Sequence, residues 1–278
     1  MKAIKLFLFL ITASFVGSAQ NDSVSNKGKA QFKLGTFYVS SLNFYGRTDS
    51  LRSSGYFPLA ELWFNNKIYI NAAPVFTKNK ISSMEYAGTV ATLGYQERSK
   101  NEKFFTHFYF IKPFYRSGID LPQSVLKAQA STTVAYQNKI LNLNGGIDFR
   151  LSDQLDIGLS AGVDHIFRKQ LNNKMVLVLD PSAYINAGTQ KFTKTYYKQS
   201  SFLFFPGAEQ QVNEEVSNLN ILSYEFSMPT ILAVNKFQLI VNPAYVIPQN
   251  LIQIENRPDL SERGKEMLYV TAGLKFIF

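Results

Sequence analysis

The last twelve residues of the chain, 267–278, constrain its fold more than any other stretch. Apolar side chains occupy every second position there, and they are Leu268, Val270, Ala272, Leu274, Phe276 and Phe278. The intervening positions are smaller or more polar, as at Thr271, Gly273 and Lys275. Alternation with a period of two is typical of a β-strand whose two faces meet different surroundings. The stretch therefore predicts a strand whose apolar face continues to the final phenylalanine.

This strand resembles the closing strand of Gram-negative outer-membrane β-barrels, in which the apolar face meets lipid. The residues that carry the resemblance are Val270, Ala272, Leu274, Phe276 and Phe278. It implies a transmembrane antiparallel up-and-down β-barrel over residues 31–278, located in the cell outer membrane. The partners it implies are outer-membrane lipids, lipopolysaccharide and the barrel-assembly machinery, which would bind the C-terminal strand.

Residues 1–19 have the pattern of a cleaved signal peptide. A short basic region precedes an apolar run, and the small residues Gly17 and Ala19 have the spacing of a signal-peptidase site. We therefore expect cleavage after Ala19. The apolar run is too short for a membrane-spanning helix, which needs about 20 residues. The polar segment that follows, 20–30, is predicted to be a disordered lead-in.

Composition and motifs narrow the range of possible sites. The chain has no cysteine, which excludes disulfides, a lipoprotein anchor and thiolate metal sites. The net charge is +9, but lysine and arginine are scattered rather than clustered, so no nucleic-acid partner is expected. No phosphate-loop, dinucleotide-binding or zinc-binding motif occurs. The sequence therefore predicts neither a cofactor nor a bound metal.

The two histidines, His107 and His165, do not match a barrel enzyme. Outer-membrane phospholipases carry their catalytic histidine and serine close together on one strand, with a single residue between them. In this chain the residue two positions after each histidine is aromatic, namely Tyr109 and Phe167. We therefore expect no enzymatic activity and a structural role for His165.

The body of the chain consists of long strand-like runs separated by turn residues. The runs are longer than the roughly 5–6 residues of an average soluble strand, and they suit a tilted membrane strand of about 9–11 residues. A bacterial barrel has an even number of strands, so a weak thirteenth run at 191–205 is assigned to a long outer loop, 189–217. A second long outer loop is expected at 248–266. The twelve predicted strands are 31–44, 54–64, 67–77, 83–96, 103–116, 124–137, 140–150, 154–168, 174–188, 218–232, 236–247 and 267–278.

Region 124–168 shows the alternation of faces most clearly. Its two tight turns predict that Gln137 pairs with Ile140 and that Leu151 pairs with Leu155. Both registers keep the polar faces of neighbouring strands together.

Six prolines fall inside predicted strands, where each removes a donor from the ladder. They are Pro58, Pro74, Pro113, Pro181, Pro229 and Pro243. We expect them at bulges or at strand ends near the rim.

Polar residues on the inward-facing positions are the candidates for a functional site. They are Lys127, Gln129, Asp148, Arg150, Asp156, Asp164, Arg168, Glu225, Gln238 and Lys275. The predicted registers place Arg150 opposite Asp156 on one side and near Lys127 on the other.

Two functions are compatible with this set. Mixed charges in a lumen would line a path for a small solute, which predicts a passive channel or facilitator for small polar solutes. Alternatively they pair with one another and plug the barrel, which predicts a non-conducting structural or interaction barrel whose outer loops bind a partner or surface lipid. Twelve strands lie between packed eight-stranded barrels and open barrels of 16–18 strands, so strand number does not decide.

Overall fold

The computed structural model describes residues 30–49, 51–116, 126–191, 218–253 and 261–278. The predicted signal peptide, all of the lead-in except Ala30, and most of the 189–217 loop lie outside the described residues. The 248–266 loop is described except for 254–260. Within the described ranges, no helix is long and apolar enough to cross a membrane.

Fifteen strands form a single antiparallel sheet. They are β1 Gln31–Val39, β2 Ser54–Phe64, β3 Ile68–Lys78, β4 Glu85–Arg98, β5 Phe104–Tyr115, β6 Ala128–Tyr136, β7 Asn142–Leu151, β8 Leu155–Asp164, β9 Phe167–Asn172, β10 Met175–Leu179, β11 Ser182–Gly188, β12 Asn220–Ser227, β13 Thr230–Val234, β14 Phe237–Pro248 and β15 Met267–Ile277. Twelve of them pair in chain order, and β15 pairs with β1, which closes the sheet. The prediction of a twelve-stranded up-and-down barrel is confirmed.

The other three strands, β9, β10 and β13, continue barrel strands beyond a break. The breaks fall at His165-Ile166, at Asp180-Pro181 and at Met228-Pro229, and Pro243 of β14 lies beside them. Single backbone bonds join the strands along this line, from His165 N to Pro181 O (3.1 Å), from Asp180 N to Pro229 O (2.9 Å) and from Met228 N to Pro243 O (3.1 Å). We call this line the proline crease. Three strands predicted as continuous are therefore divided, because proline cannot donate to the ladder.

Two further prolines share one gap in the sheet. The ladder between β2 and β3 is interrupted between the pairs Tyr56↔Phe76 and Ala60↔Ala72. Pro58 and Pro74 stand opposite each other in that interval, so two missing donors cost the sheet a single interruption. Pro113 stays inside a paired strand.

The strand registers agree with the prediction at one turn and differ at the other. Leu151 pairs with Leu155, as predicted. Between β6 and β7, Tyr136 pairs with Leu143, so the predicted pairing of Gln137 with Ile140 is wrong by two residues. The turn is longer because the side-chain oxygen of Asn142 accepts a hydrogen bond from Asn138 N (3.0 Å). A shift of two leaves the same faces together.

The outer surface is apolar and the interior carries the charges. Leu93 and Leu274 are 52% and 55% exposed on the outside, whereas Arg150 and Lys275 are 1% and 4% exposed inside. A soluble domain buries its apolar residues, and a large continuous apolar surface needs an apolar environment. This distribution is that of a barrel whose wall faces lipid.

The closing strand β15 has the predicted orientation. Val270, Ala272, Leu274 and Phe276 alternate with residues that are more deeply buried, such as Tyr269 and Thr271. The apolar set therefore faces outward while β15 pairs with β1 on one side and β14 on the other.

Candidate functional site

Most of the predicted lumen residues lie inside the barrel. Those that are buried there are Gln129, Arg150, Asp156, Asp164, Glu225, Gln238 and Lys275, and Asp148 is half-buried beside them. Lys127 instead lies at the exposed outer rim, with Nζ 3.0 Å from Asp153 Oδ1. Arg168 lies on β9, whose six residues are all exposed beyond the proline crease. These two residues are not part of the interior. The alternation of polar and apolar side chains continues in sequence beyond the closed wall, so an inward-facing position there no longer points into the barrel.

Arg150 organises the charged side of the interior, on β6, β7 and β8. Its Nε lies 2.7 Å from Asp148 Oδ1, and Gln129 donates to the same oxygen (3.0 Å). Asp156 stands directly opposite Arg150, as predicted, and the opposite neighbour on β6 is Gln129 rather than Lys127. Charges removed from water need such partners to be tolerated.

Small residues make room for these charges. Gly158 stands opposite Asp148, and a Cβ there would overlap the side chains of Asp148 and Arg150. Asp156 is held from the loop side, where it accepts hydrogen bonds from Thr189 Oγ1 and Lys191 N, both 2.7 Å long. The charged wall is therefore specified by residue size as well as by charge.

The facing wall of the outer half is apolar. Its buried residues come mainly from β1 to β5 and from β14 and β15, and they include Phe37, Val39, Phe57, Leu59, Val75, Val90, Ile111, Val246 and Tyr269. Leu42, from the β1–β2 connection, packs into the same cluster. The outer half of the interior thus has one charged side and one apolar side.

Residues 40–49, which we call the mouth loop, cross the barrel from one wall to the other. β7 stands six strands from β1 in either direction around the barrel. The rings of Phe44 and Tyr45 nevertheless lie 5.4 and 5.7 Å from Cζ of Arg150 on β7. Burial raises the pKa of the Tyr45 phenol, so this ring stays neutral. The mouth loop therefore occupies the outer end of the interior.

Arg47 fastens the mouth loop to the other outer loops. Its Nε lies 2.9 Å from Glu262 Oε2, and both side chains are fully buried. Its other nitrogens donate to Gln190 Oε1 (2.7 Å), to Leu222 O (3.1 Å) and to Gln249 O (3.0 Å). One planar guanidinium, with its fixed fork of donors, thus joins four segments of the chain.

Bacterial barrels have their short turns on the periplasmic side, which here is the end away from the mouth loop. A second charged group lies in this periplasmic half of the interior. Nζ of Lys275 lies 2.5 Å from Oε1 of Glu61, and both side chains are buried. Lys33 stands opposite Glu61 in the sheet, and its Nζ lies 4.1 Å from the centroid of the Trp63 ring. Two lysines and one glutamate therefore meet on β15, β1 and β2.

A row of rings continues from Trp63 across β3 and β5. Trp63 stacks on Tyr69 with centroids 4.6 Å apart, and the hydroxyl of Tyr69 lies 2.9 Å from Nε2 of His107. The ring of His107 lies 4.7 Å from that of Tyr109. Gly94 stands opposite Tyr69, where any larger residue would overlap the tyrosine ring. His107 is therefore an interior residue of the barrel.

Several interior residues escape the sequence prediction, for two different reasons. Lys33 and Glu61 lie on inward-facing positions of their strands. The outer halves of the same strands are apolar on both faces, so the sequence does not show which face points inward. Arg47 and Glu262 lie in loops, where no periodicity indicates which way a side chain points.

Comparisons with known proteins find distant likenesses only. No protein-family model and no curated protein matches the sequence. Among solved structures, the KdgM porin is 8% identical with a TM-score of 0.45, covering 88% of this chain and 98% of that one. An outer membrane channel from Pseudomonas putida F1 is 8% identical with a TM-score of 0.47, covering 92% and 99%. LpxR from Salmonella typhimurium is 8% identical with a TM-score of 0.48, covering 88% and 100%.

Likenesses this distant carry no argument, so the structural class rests on the chain's own geometry. A closed sheet of twelve strands, an apolar outer surface and a charged interior give this chain the architecture of an outer-membrane β-barrel.

Proposed function

We propose that the chain is a passive channel or facilitator for small polar solutes, held closed by the mouth loop. The observation that carries the proposal is the set of charged residues inside a barrel whose outside is apolar. Burying charges is costly, and mixed charges are what a polar solute needs along its path. Among the described residues, no strand pairing that closes the barrel involves residues 40–49. Release of the mouth loop would therefore break loop contacts and leave the wall intact.

The proposal includes a cellular setting. The protein would reside in the outer membrane of a Gram-negative bacterium after removal of residues 1–19 near Ala19. Outer-membrane lipids and lipopolysaccharide would contact the apolar outer face, and the barrel-assembly machinery would bind β15. The outward set on β15 supports this assignment. The proposal needs no cofactor and assigns no catalytic step.

The test is single-channel conductance of refolded protein, residues 20–278, in a planar bilayer. We expect brief, infrequent steps from the wild type. Arg47→Ala should raise the open fraction roughly tenfold or more, because it removes the buried ion pair with Glu262 and so destabilises the closed mouth. Arg116→Ala is the matched control, since Arg116 lies at the same end of the barrel but is 64% exposed, 4.0 Å from Glu85. It should leave the conductance unchanged.

A second function is favoured by the packing of the interior. The mouth loop and the apolar wall fill the outer half, which suits a non-conducting structural or interaction barrel whose outer loops bind a partner or surface lipid. Silence of both the wild type and Arg47→Ala, with insertion into the bilayer demonstrated, would overturn the channel and favour this alternative.

A further inference from the structure

Six polar side chains in the periplasmic half of the barrel form a group that we call the periplasmic polar cluster. They are Lys33, Trp63, Asn71, Thr92, Gln96 and His107, and each is at most 8% exposed. Five of their buried atoms have no hydrogen-bond partner among the described residues, namely Trp63 Nε1, Asn71 Oδ1, Thr92 Oγ1, Gln96 Oε1 and His107 Nδ1. Leaving a buried polar group unsatisfied is costly, so five in one region indicate a place for a polar ligand.

The sheet registers bring these residues together on one stretch of inner wall. Glu61 stands opposite Lys33 on one side and opposite Asn71 on the other, and Asn71 stands opposite Thr92. Neighbouring strands are about 4.8 Å apart, so this row spans roughly 15 Å. Gln96, on the same strand as Thr92, stands opposite His107 on β5.

The cluster lies near the periplasmic end of the barrel. Gln96 donates through its backbone N to Lys67 O (2.7 Å) and through Nε2 to Asn66 O (3.3 Å). Both acceptors belong to the β2–β3 turn, at the end of the barrel away from the mouth loop. Closure of the mouth by residues 40–49 therefore does not separate the cluster from the periplasm.

The charges of the cluster favour an anion. Glu61 is paired with Lys275, whereas Lys33 forms no salt bridge within the described part of the chain and lies over the Trp63 ring. One positive charge therefore remains for a ligand. The amide oxygens of Asn71 and Gln96 accept hydrogen bonds, so the ligand must also carry donors.

We propose that the periplasmic polar cluster binds a small hydroxylated carboxylate. Lys33 pairs with the carboxylate, and Asn71, Thr92 and Gln96 bind the hydroxyl groups. The inference rests on the proposed function in that it names the class of solute the channel would carry. Binding itself does not require the mouth to open, so the two can be tested separately.

The chain supplies its own probe, because Trp63 is its only tryptophan. Refolded protein in detergent micelles is titrated with sodium gluconate while tryptophan emission is recorded. We expect a saturable change with gluconate, a weaker one with neutral glucitol and none with sodium chloride at equal ionic strength. Lys33→Gln should raise the gluconate concentration at the midpoint at least about tenfold, the loss expected when a charge-assisted bond is removed. Asn71→Ala should raise it less. Lys67→Gln, an exposed lysine at the same end, is the control and should not change it.

Each result decides between the two proposals. An absent response, a response shared by chloride, or an equal midpoint in Lys33→Gln overturns the cluster as a carboxylate site. Saturable gluconate binding by a protein that is silent in the bilayer keeps the site and overturns the channel. Conductance without any gluconate response keeps the channel and overturns the site.

Discussion

The same kind of ion pair has a different weight inside and outside this barrel. Lys275 and Glu61 lie 2.5 Å apart with side chains only 3% and 5% exposed. Lys67 and Glu97 lie 2.6 Å apart, but their side chains are 51% and 47% exposed. Water solvates the second pair whether or not it forms, whereas the first pair has replaced its water with its partner.

Lys275→Ala should therefore lower the free energy of unfolding by about 3–5 kcal/mol, since it removes the ion-pair partner of the buried Glu61 carboxylate. Lys67→Ala should change it little. Urea unfolding in lipid vesicles, followed by Trp63 emission, measures both. The double variant Lys275→Met with Glu61→Gln should recover part of the loss, because no buried carboxylate is then left without its ion-pair partner. Equal effects of the two single substitutions would contradict this account.

Among the strands, β9, β10 and β13 are separated from the rest of the wall by the proline crease. Across the crease the ladder is reduced to single backbone bonds. β9 has only one strand neighbour among the described residues, and all six of its side chains are exposed. These short strands therefore have fewer restraints than the barrel strands they continue.

We expect the backbone amides of β9 and β10 to exchange with deuterium faster than those of β8 and β11, because local opening there leaves the closed barrel intact. Hydrogen–deuterium exchange in detergent, measured by mass spectrometry, compares the exchange rates on the two sides of each break, β8 with β9 and β11 with β10. β3 and β4, which share a long ladder away from the crease, are the internal control. Uniform exchange on both sides of the crease would show that it does not divide the sheet.

Sequence alternation predicted the elements well where each face has a single character, as in β6, β7 and β8. It could not locate the breaks, because a proline such as Pro181 and one such as Pro58 look alike in sequence. The first coincides with a break in its own strand, and the second shares a gap with Pro74. The β6–β7 register depended on the side chain of Asn142, which the alternation does not describe.

The candidate site was predictable only in part, since Gln238 and Lys275 on the facing wall were predicted but Lys33 and Glu61 were not. Arg150 and Asp156 were found because polar and apolar residues alternate strictly around them. Lys33 and Glu61 were missed because the same strands carry apolar inward residues nearer the mouth, such as Phe37 and Phe57. Residues such as Lys33 and Glu61 can be assigned to the site only when the pairing of the strands in three dimensions is known.

At the scale of the whole molecule, the apolar outer surface must meet lipid. Leu93 lies near the middle of β4 and is 52% exposed. In a soluble protein, replacing an exposed leucine by arginine would be harmless. At the level of the bilayer centre, it places a charge against hydrocarbon.

Leu93→Arg should lower the free energy of unfolding from lipid vesicles by about 2–4 kcal/mol. Ile81→Arg is the matched control, because Ile81 is 82% exposed but lies in the β3–β4 loop outside the wall. It should have little effect. Urea titration of both variants in the same vesicles makes the comparison, and indistinguishable stabilities would argue against a lipid-facing β4.

The position of Arg47 has a consequence for the order of assembly. Arg47 follows β1 and Glu262 precedes β15, so their contact joins residues 215 positions apart across the seam where the first and last strands meet. Contacts between such distant residues cannot form until the chain between them is in place. The mouth loop therefore cannot be fastened until β1 and β15 have paired. A newly made barrel would remain open at its outer end until its wall was complete, and completion of the wall would then close that end.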